Sequence, residues 1–184
     1  KSEIEINNIK EICSITSKVF DDFPQKINLG MSEKQITSIF KKELIESGAD
    51  YIQYMACASG FNGYNQIICN PTERETKDGD ILIIDTGATL NGYFSDFDRN
   101  FGFGKIHKQV LDAYNKLWEA TERTLEIIKP GISCSEIYSK LSQSLITNNV
   151  SIGRMGHGLG LQLTEPPSIM TVSYTHLRAH ETFG

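Results

Sequence analysis

The 184-residue chain lacks several features that would place it in a specialised class of protein. Its 18 lysines and arginines form no basic block and are outnumbered by 23 acidic residues, which gives a formal charge of -5. Such a surface argues against nucleic acid and against anionic membranes as partners. No apolar run approaches the roughly 18 residues of a membrane-spanning helix, and no signal peptide precedes the first helix. We therefore expect a cytoplasmic protein that acts on a small molecule or a short peptide.

Cysteine is also sparse, and its spacing excludes two further classes. Cys13, Cys57, Cys69 and Cys134 form no CxxC pair and have no metal-finger spacing. This pattern predicts reduced thiols in a cytosolic protein rather than a disulfide framework. With 39% hydrophobic residues, the chain is long enough for one core. Because it starts at Lys1, we expect the natural N-terminus to precede it.

Two similar stretches occur in the chain at a constant distance from each other. The first is INLGMSEKQITSIFKKELI at 27–45, and the second is IKPGISCSEIYSKLSQSLI at 128–146, so the offset is 101 residues. Ser32 with Gln35, and Ser133 with Glu136, predict a capping box at the start of a helix in each copy. An amphipathic stretch precedes each copy, at 4–23 and at 107–128. The sequence therefore predicts a duplicated unit of two helices.

Runs with the composition of β-strands follow the first pair of helices. They cover residues 51–59, 66–69, 81–88 and 92–103. SIGRMGHGLGL stands after the second pair of helices, where the strands of the second copy should begin. We expect an α+β fold of two similar halves, each with helices over antiparallel strands, and with the second half incomplete.

Three aspartates lie within the segment DTGATLNGYFSDFDRNF at 85–101. Asn91-Gly92 is a strong signal for a two-residue hairpin loop, which would place Asp85 opposite Asp98. A slipped register would instead place Asp96 opposite Asp85, and in both cases the three carboxylates share one face. The strand is apolar on both faces, so we expect it to be buried on both.

Clustered carboxylates in a buried strand require compensation by a cation. Arg99 has the opposite parity to the three aspartates and should point away from them. A divalent metal ion would neutralise the cluster, whereas the alternative is that these are solvent-facing acids at the end of a hairpin. His157, set among Gly156, Gly158 and Gly160, offers an imidazole beside an uncovered backbone. Two carboxylates and one imidazole suit manganese, iron, cobalt or zinc.

The two motifs IDTGATLNGYFSDFDRNF and GHGLGLQLTEPP together resemble those of the pita-bread metallohydrolases, which include methionine aminopeptidase, Xaa-Pro aminopeptidase, prolidase and creatinase. The resemblance implies the pita-bread fold of two pseudo-twofold halves, with residues 1–172 forming a partial catalytic domain. It also implies that Asp85, Asp96 and His157 are metal ligands. In the full-length parent, two further glutamates would complete a site for two divalent ions (Mn, Co, Fe or Zn).

Three residues depart from the pattern of the peptidases in this family. Ile68 stands where the peptidases carry the histidine of a PH pair, although a misalignment of two residues is an alternative. Thr164 replaces the histidine of an HEPP phrase, and Asp98 replaces the threonine of an SDxTR phrase. We expect Ile68 and Thr164 to contact the substrate. Asp98 is a candidate catalytic residue, as a third ligand, a proton acceptor or a counter-charge for a cationic substrate.

The resemblance predicts a metal-dependent hydrolase that cleaves an amide or imide bond in a small or dipeptide-like substrate, and it allows a homodimer. The departures leave alternatives open. These are a non-peptidase relative, such as a dimethylsulfoniopropionate lyase or a compatible-solute hydrolase, and a non-catalytic binding module with the same fold.

The last twelve residues, at 173–184, break the family pattern abruptly. They include His176 and His180 at helical i, i+4 spacing with Glu181 adjacent, which alone could be two metal ligands on a helix. We favour a different interpretation, because SYTHLRAHET resembles the translated adapter sequence found at the ends of fragmentary sequences. The segment is therefore predicted to be a non-native tail.

Overall fold

The structure is a computed structural model that describes residues 1–61, 63, 69–145, 153–171 and 175–177. Ile68, His180, Glu181 and most of the strand predicted at 66–69 lie outside these residues. The chain divides into two compact units, which are described separately below. The N-terminal unit contains Glu3–His107 with Gly160–Leu163, and the C-terminal unit contains Lys1–Ser2, Lys108–Leu159 and Thr164–Gly184.

The N-terminal unit consists of two helices and an antiparallel sheet. Helix α1 (Glu3–Asp22) is followed by a 3-10 turn (Phe23–Gln25) and helix α2 (Glu33–Glu46). The strands are β1 (Tyr51–Ser59), β2 (Ile81–Leu90), β3 (Tyr93–Phe94) and β4 (Phe97–Gly102). Strand β2 lies at the centre, because it pairs with β1 on one side and with both β3 and β4 on the other.

The core of this unit lies between the helices and one face of the sheet. Both helices contribute an apolar stripe at helical spacing, which packs on Leu82 and Ile84 of β2. The stripes are formed by Ile9, Ile12, Val19 and Phe20 of α1, and by Ile36, Phe40 and Leu44 of α2. Leu82 and Ile84 on the face that the helices cover are buried, whereas Ile81 and Ile83 on the other face are only half-buried. Further along the strand, residues 86–89 are buried on both faces. The expectation that β2 is buried on both faces is therefore confirmed for its second half and not for its first.

The register of the central hairpin agrees with the prediction for a two-residue loop. Asn91 and Gly92 have positive φ angles of 53° and 80°, as a type I′ turn requires. Leu90 pairs with Tyr93, and Asp85 pairs with Asp98. The hairpin therefore adopts the first of the two registers that the sequence left open.

The C-terminal unit is smaller and contains helices α3 (Lys108–Leu125) and α4 (Cys134–Leu145) with strands β5 (Gly156–Gly158) and β6 (Glu165–Ile169). Its core is formed by a few buried side chains: Cys134, Ile137, Tyr138, Ile169 and Leu177. Helix α3 packs against α4 but leaves several large apolar side chains exposed, among them Leu117 and Trp118. No helix in the described part of the chain is both long and apolar enough to cross a membrane.

The internal duplication is confirmed by the local geometry of the two copies. Ser32 and Ser133 each accept a hydrogen bond from the backbone N–H three residues on, at 3.2 Å in both copies. Gly30 and Gly131 have positive φ angles of 90° and 97° before the two caps. No atom lies within 4 Å of a Cβ added at either glycine, so the backbone conformation rather than the lack of space favours glycine there.

The same offset of 101 residues relates the backbone pairing of the two copies. Gly30 N donates to Thr76 O at 3.1 Å, and Gly131 N donates to Leu177 O at 2.8 Å. Bridges between Ser32 and Glu75, and between Ser133 and His176, repeat the same relation. Each copy thus binds an extended segment at the start of its second helix.

A buried carboxylate ties α2 of the N-terminal unit to the sheet. Glu33 is only 3% exposed and accepts hydrogen bonds from Ser59 N at 2.7 Å and Ser59 Oγ at 2.6 Å. It also accepts from Thr72 N at 2.9 Å and Thr72 Oγ1 at 2.7 Å. All four partners donate, so the ionised carboxylate suits this position better than any neutral side chain.

We expect Glu33→Gln to destabilise the chain by about 2 kcal/mol, because the amide nitrogen of glutamine would face donors instead of accepting from them. The free energy of unfolding in urea measures this loss. The control is Glu46→Gln on the same helix, where the carboxylate is 59% exposed and lies 3.6 Å from Lys42 Nζ. This control should change stability by less than about 0.5 kcal/mol. Equal effects of the two substitutions would contradict the prediction.

An ion pair next to this carboxylate makes the fold sensitive to acid. Arg74 Nη1 donates to Asp80 Oδ2 at 2.7 Å and to Ser59 Oγ at 2.7 Å. Desolvation raises the pKa of Asp80, but the hydrogen bonds from Arg74 and from Lys77 N outweigh it, and the net pKa is lowered. A carboxyl whose pKa is lower in the folded chain stabilises the fold above its ordinary pKa, and this contribution is lost as the pH falls through the folded value.

We therefore expect Asp80→Asn to cost about 1 kcal/mol of stability at pH 6 and progressively less below about pH 4. Urea unfolding at a series of pH values measures the difference from the parent chain. Asp112→Asn is the matched control, since its ion pair with Lys108 is exposed and should contribute little at any pH. A cost for Asp80→Asn that did not shrink in acid would show that charge is not its cause.

Candidate functional site

Two of the predicted ligands converge on one side chain of the N-terminal unit. Asp85 lies on β2, and Asp96 lies in the two-residue break between β3 and β4. The hydroxyl of Tyr54 on β1 is 2.7 Å from Asp85 Oδ1 and 2.5 Å from Asp96 Oδ1. Ionised carboxylates can only accept, and a phenol has a single proton to donate. The Tyr54 hydroxyl therefore bridges the two carboxylates and brings their charges close together, an arrangement that suits a bound cation.

The charges in this cluster shift the pKa values of neighbouring groups. Desolvation raises the pKa of the Tyr54 hydroxyl, and the hydrogen bonds to Asp96 and Asp85 raise it further, so the phenol stays protonated. Asp98 is an exposed residue directly opposite Asp85. Desolvation and then the charge of Asp85 raise the pKa of Asp98 to about 6, while Arg99 opposes the shift and Asp96 adds to it. The cluster therefore resists carrying three full negative charges.

The nearest arginine is directed elsewhere, as its parity in the strand predicts. The guanidinium of Arg99 lies 5.8 Å from the ring centre of Phe20 and 5.0 Å from that of Phe97. It also donates to the backbone oxygen of Asp98 at 2.8 Å. Contacts with aromatic faces of this kind stabilise a cation by electrostatic attraction to the ring. Arg99 thus moderates the charge of Asp98, but its guanidinium packs on the aromatic side chains.

Tyr54 is the site residue that the sequence reasoning missed. A Cβ added to Gly87 on β2 would lie 2.5 Å from Tyr54 Cε1 and 3.0 Å from Ser95 O. The tyrosine ring therefore crosses β2 at the one position that has no side chain. A glycine in the interior of a strand indicates such a close approach, so Gly87 was the signal that could have revealed this neighbour.

His157 and Thr164 belong to the C-terminal unit. His157 lies on β5, where it pairs with Ser168 of β6, and its Nδ1 is 2.9 Å from Gly158 O. Since a carbonyl oxygen can only accept, Nδ1 carries the proton and the lone pair is on Nε2, the nitrogen that would bind a metal ion. Thr164 is exposed and directly precedes β6.

The glycines around His157 have a structural explanation. A Cβ at Gly158 would lie 2.5 Å from Pro166 O, and one at Gly156 would lie 2.9 Å from Ile169 Cδ1. Strand β6 therefore approaches the backbone on both sides of the histidine. The backbone at these glycines is therefore approached by another segment of the same chain, strand β6.

The residues present fit part of a metal centre. Asp85 and Asp96 supply oxygen ligands of the kind that divalent ions prefer, within reach of one hydroxyl. Across the ranges that the structure describes, no three His, Cys, Asp or Glu side chains form a group that could hold a metal ion by themselves. All four cysteines are free thiols, and Cys57 and Cys134 are buried. The assignment of His157 as the third ligand stays a prediction.

Comparison with known proteins identifies the family. The model of metallopeptidase family M24 matches residues 7–184, and the chain belongs to this family. Methionine aminopeptidase 1 of Bacillus subtilis is 30% identical over 185 residues, which cover 92% of this chain and 71% of that protein. The predicted relationship to the pita-bread metallohydrolases is thereby confirmed.

Solved structures give the same result for the fold. The X-Pro aminopeptidase of Thermotoga maritima matches with a TM-score of 0.89 at 27% identity, covering 97% of this chain and 51% of that one. The prolidase of Thermococcus sibiricus matches with a TM-score of 0.92 at 28% identity, covering 100% of this chain and 51% of that one. The α+β pita-bread fold predicted from the sequence is confirmed. The chain spans about half the length of the first curated relatives that it matches, 46% and 52% of their residues.

We expect Gly87→Ala to destabilise the chain by about 1–3 kcal/mol, because the new methyl group would overlap the Tyr54 ring and the Ser95 carbonyl. Urea unfolding measures the effect. Gly153→Ala is the matched control, since no atom of the described residues lies within 4 Å of a Cβ there. Combining Gly87→Ala with Tyr54→Ala should reduce the penalty, because the ring would be absent. A penalty that persisted undiminished in the double variant would exclude the ring as its cause.

Proposed function

We propose that the chain is part of a metal-dependent hydrolase that cleaves an amide or imide bond in a small or dipeptide-like substrate. The observation that carries the proposal is the convergence of Asp85 and Asp96 on the single proton of Tyr54. The M24 family match adds chemical context, as do the peptidase names of the relatives. Those names favour a peptidase over a lyase or a binding module.

In this proposal Asp85, Asp96 and His157 hold two divalent ions together with ligands from the rest of the full-length protein. Gly160, three residues after His157, accepts a hydrogen bond from Phe94 N at 2.9 Å and so lies beside the carboxylate hairpin. Bound divalent ions would supply Lewis-acid polarisation of the scissile carbonyl and would lower the pKa of a water molecule.

The other side chains have roles that follow from their positions. Tyr54 keeps its proton between Asp85 Oδ1 and Asp96 Oδ1 and so holds both carboxylates in one orientation. Asp98, opposite Asp85, is the candidate proton acceptor or counter-charge for a cationic substrate. Thr164 and Ile68 are proposed to contact the substrate. Because both replace an imidazole of the peptidase pattern, the substrate would differ from that of a standard prolidase.

Four further properties belong to the proposal. We infer that manganese is among the ions used, and that the protein is cytoplasmic and a homodimer. Residues 173–184 are proposed to be non-native. Residues 175–177 do pair with the start of α4, mainly through backbone atoms and the buried side chain of Leu177, and His176 also interacts electrostatically with Glu136. Many sequences could supply the backbone part of this pairing. The genomic sequence that follows residue 172 would test the last point directly.

The test of function uses the full-length protein with manganese or cobalt and a panel of dipeptides that includes Xaa-Pro substrates. We expect hydrolysis that a chelator abolishes and that added metal restores. Asp96→Ala should lower kcat/KM by more than about 100-fold, because removal of a ligand costs at least as much as removal of a residue that orients one.

Asp112→Asn, at an exposed position on α3, is the control and should leave kcat/KM unchanged. Bound metal is measured separately by elemental analysis. The proposal fails if the full-length protein cleaves no amide or imide substrate and also retains no metal. Metal retention without hydrolysis would instead favour lyase chemistry.

A further inference from the structure

A chain of hydrogen bonds links helix α1 to the strand break that carries Asp96. Thr16 on α1 and Ser95 are both fully buried, and their hydroxyl oxygens are 2.8 Å apart. Thr16 Oγ1 donates to Ile12 O at 2.9 Å, so its proton is already committed. The proton between the two hydroxyls must therefore come from Ser95.

Ser95 is held in the same way on its other side. Its hydroxyl oxygen accepts from Ala88 N at 3.3 Å, and its own backbone N–H donates to Ala88 O at 2.8 Å. The hydrogen bonds therefore all point the same way: Ala88 N donates to the Ser95 hydroxyl, which donates to the Thr16 hydroxyl, which donates to Ile12 O. The Ser95 hydroxyl also lies 3.4 Å from Ala88 O, a longer contact than the 2.8 Å to Thr16, and these contacts together leave little freedom for the backbone at Ser95.

These contacts at Ser95 matter because Ser95 and Asp96 are the two residues that separate β3 from β4. The backbone N–H of Ser95 donates to Ala88 O, but the two residues of the break belong to neither of the ladders that pair β2 with β3 and with β4. Asp96 follows Ser95 directly, and its carboxylate reaches the Tyr54 hydroxyl. The orientation of Asp96 therefore depends on what fixes Ser95.

We propose that Thr16 is a positioning residue for Asp96, acting through the buried Ser95 hydroxyl. The inference rests on the proposed function only in taking Asp96 as a metal ligand. It assigns α1, which contributes no ligand, a defined part in shaping the site. The link also explains why a buried apolar stripe contains a threonine at this position, where a valine of similar shape would otherwise suffice.

Thr37 on α2 provides a matched comparison within the same unit. It is also buried, at 2% exposure, and its hydroxyl donates to Glu33 O at 2.9 Å, one helical turn back. Thr16 makes the equivalent bond to Ile12 O and adds the contact with Ser95. Thr37→Val therefore reproduces the loss of the intrahelical bond but leaves the strand break untouched.

The test compares Thr16→Val, Thr16→Ser and Thr37→Val in the metal-free 184-residue chain. Amide hydrogen exchange at Ser95 and Asp96 reports local opening of the break. The 13C resonance of the Asp96 carboxyl reports its environment. We expect Thr16→Val to speed exchange at these two amides by about tenfold, as for loss of one buried hydrogen bond, and to shift the carboxyl resonance. Thr16→Ser should restore the parent values, and Thr37→Val should not alter them.

The proposal is overturned if Thr16→Val leaves exchange and the carboxyl resonance unchanged, or if Thr37→Val changes them equally. Neither measurement needs metal or substrate, so the result is independent of the proposed function. In the full-length protein, the Mn2+ dissociation constant should also rise about tenfold for Thr16→Val relative to Thr37→Val. A protein that binds no Mn2+ would contradict the proposed function while leaving the exchange result to decide the role of Thr16.

Discussion

The arrangement of the N-terminal unit depends on one contact, the convergence of Asp85 and Asp96 on the hydroxyl of Tyr54. A single phenol proton serves two carboxylates, and the surrounding features are those needed to hold such a group together. Gly87 makes room for the ring of Tyr54, and the hairpin register brings Asp98 opposite Asp85. Bringing like charges together costs free energy in proteins unless another group compensates for it. Sites of this kind are typical of ion binding rather than of structural cores.

The parts of this arrangement that arise from neighbouring residues could be predicted from the sequence. Asn91-Gly92 determines a tight loop, and the loop determines the pairing of the two strands. Likewise, Ser32 and Ser133 each begin a helix through atoms only three residues away. Each of these signals is a local motif of a few consecutive residues, which explains why the hairpin, the caps and the repeat could be predicted.

The parts that were missed depend on residues far apart in the chain. Tyr54 reaches Asp96 across 42 positions, and Thr16 reaches Ser95 across 79. Gly87 indicates that something approaches β2 closely, but no local pattern identifies the partner in either pair, because the contact exists only after the sheet and helices have assembled. The partial exposure of Ile81 and Ile83 in the first half of β2 was missed for a related reason. An apolar alternation shows that both faces can be covered, but it does not show which elements cover them.

The duplication allows one position to be compared in two chemical settings. Glu33 and Cys134 are separated by the 101-residue offset, and the backbone N–H of each donates to the extended segment of its own copy. Both side chains are buried, one among four donors and the other in an apolar cluster. The main-chain pairing is the same at the two positions, whereas the surroundings of the two side chains differ. The two positions are therefore not interchangeable, and a glutamate placed at position 134 would lie in an apolar cluster instead of among the four donors that it has at position 33.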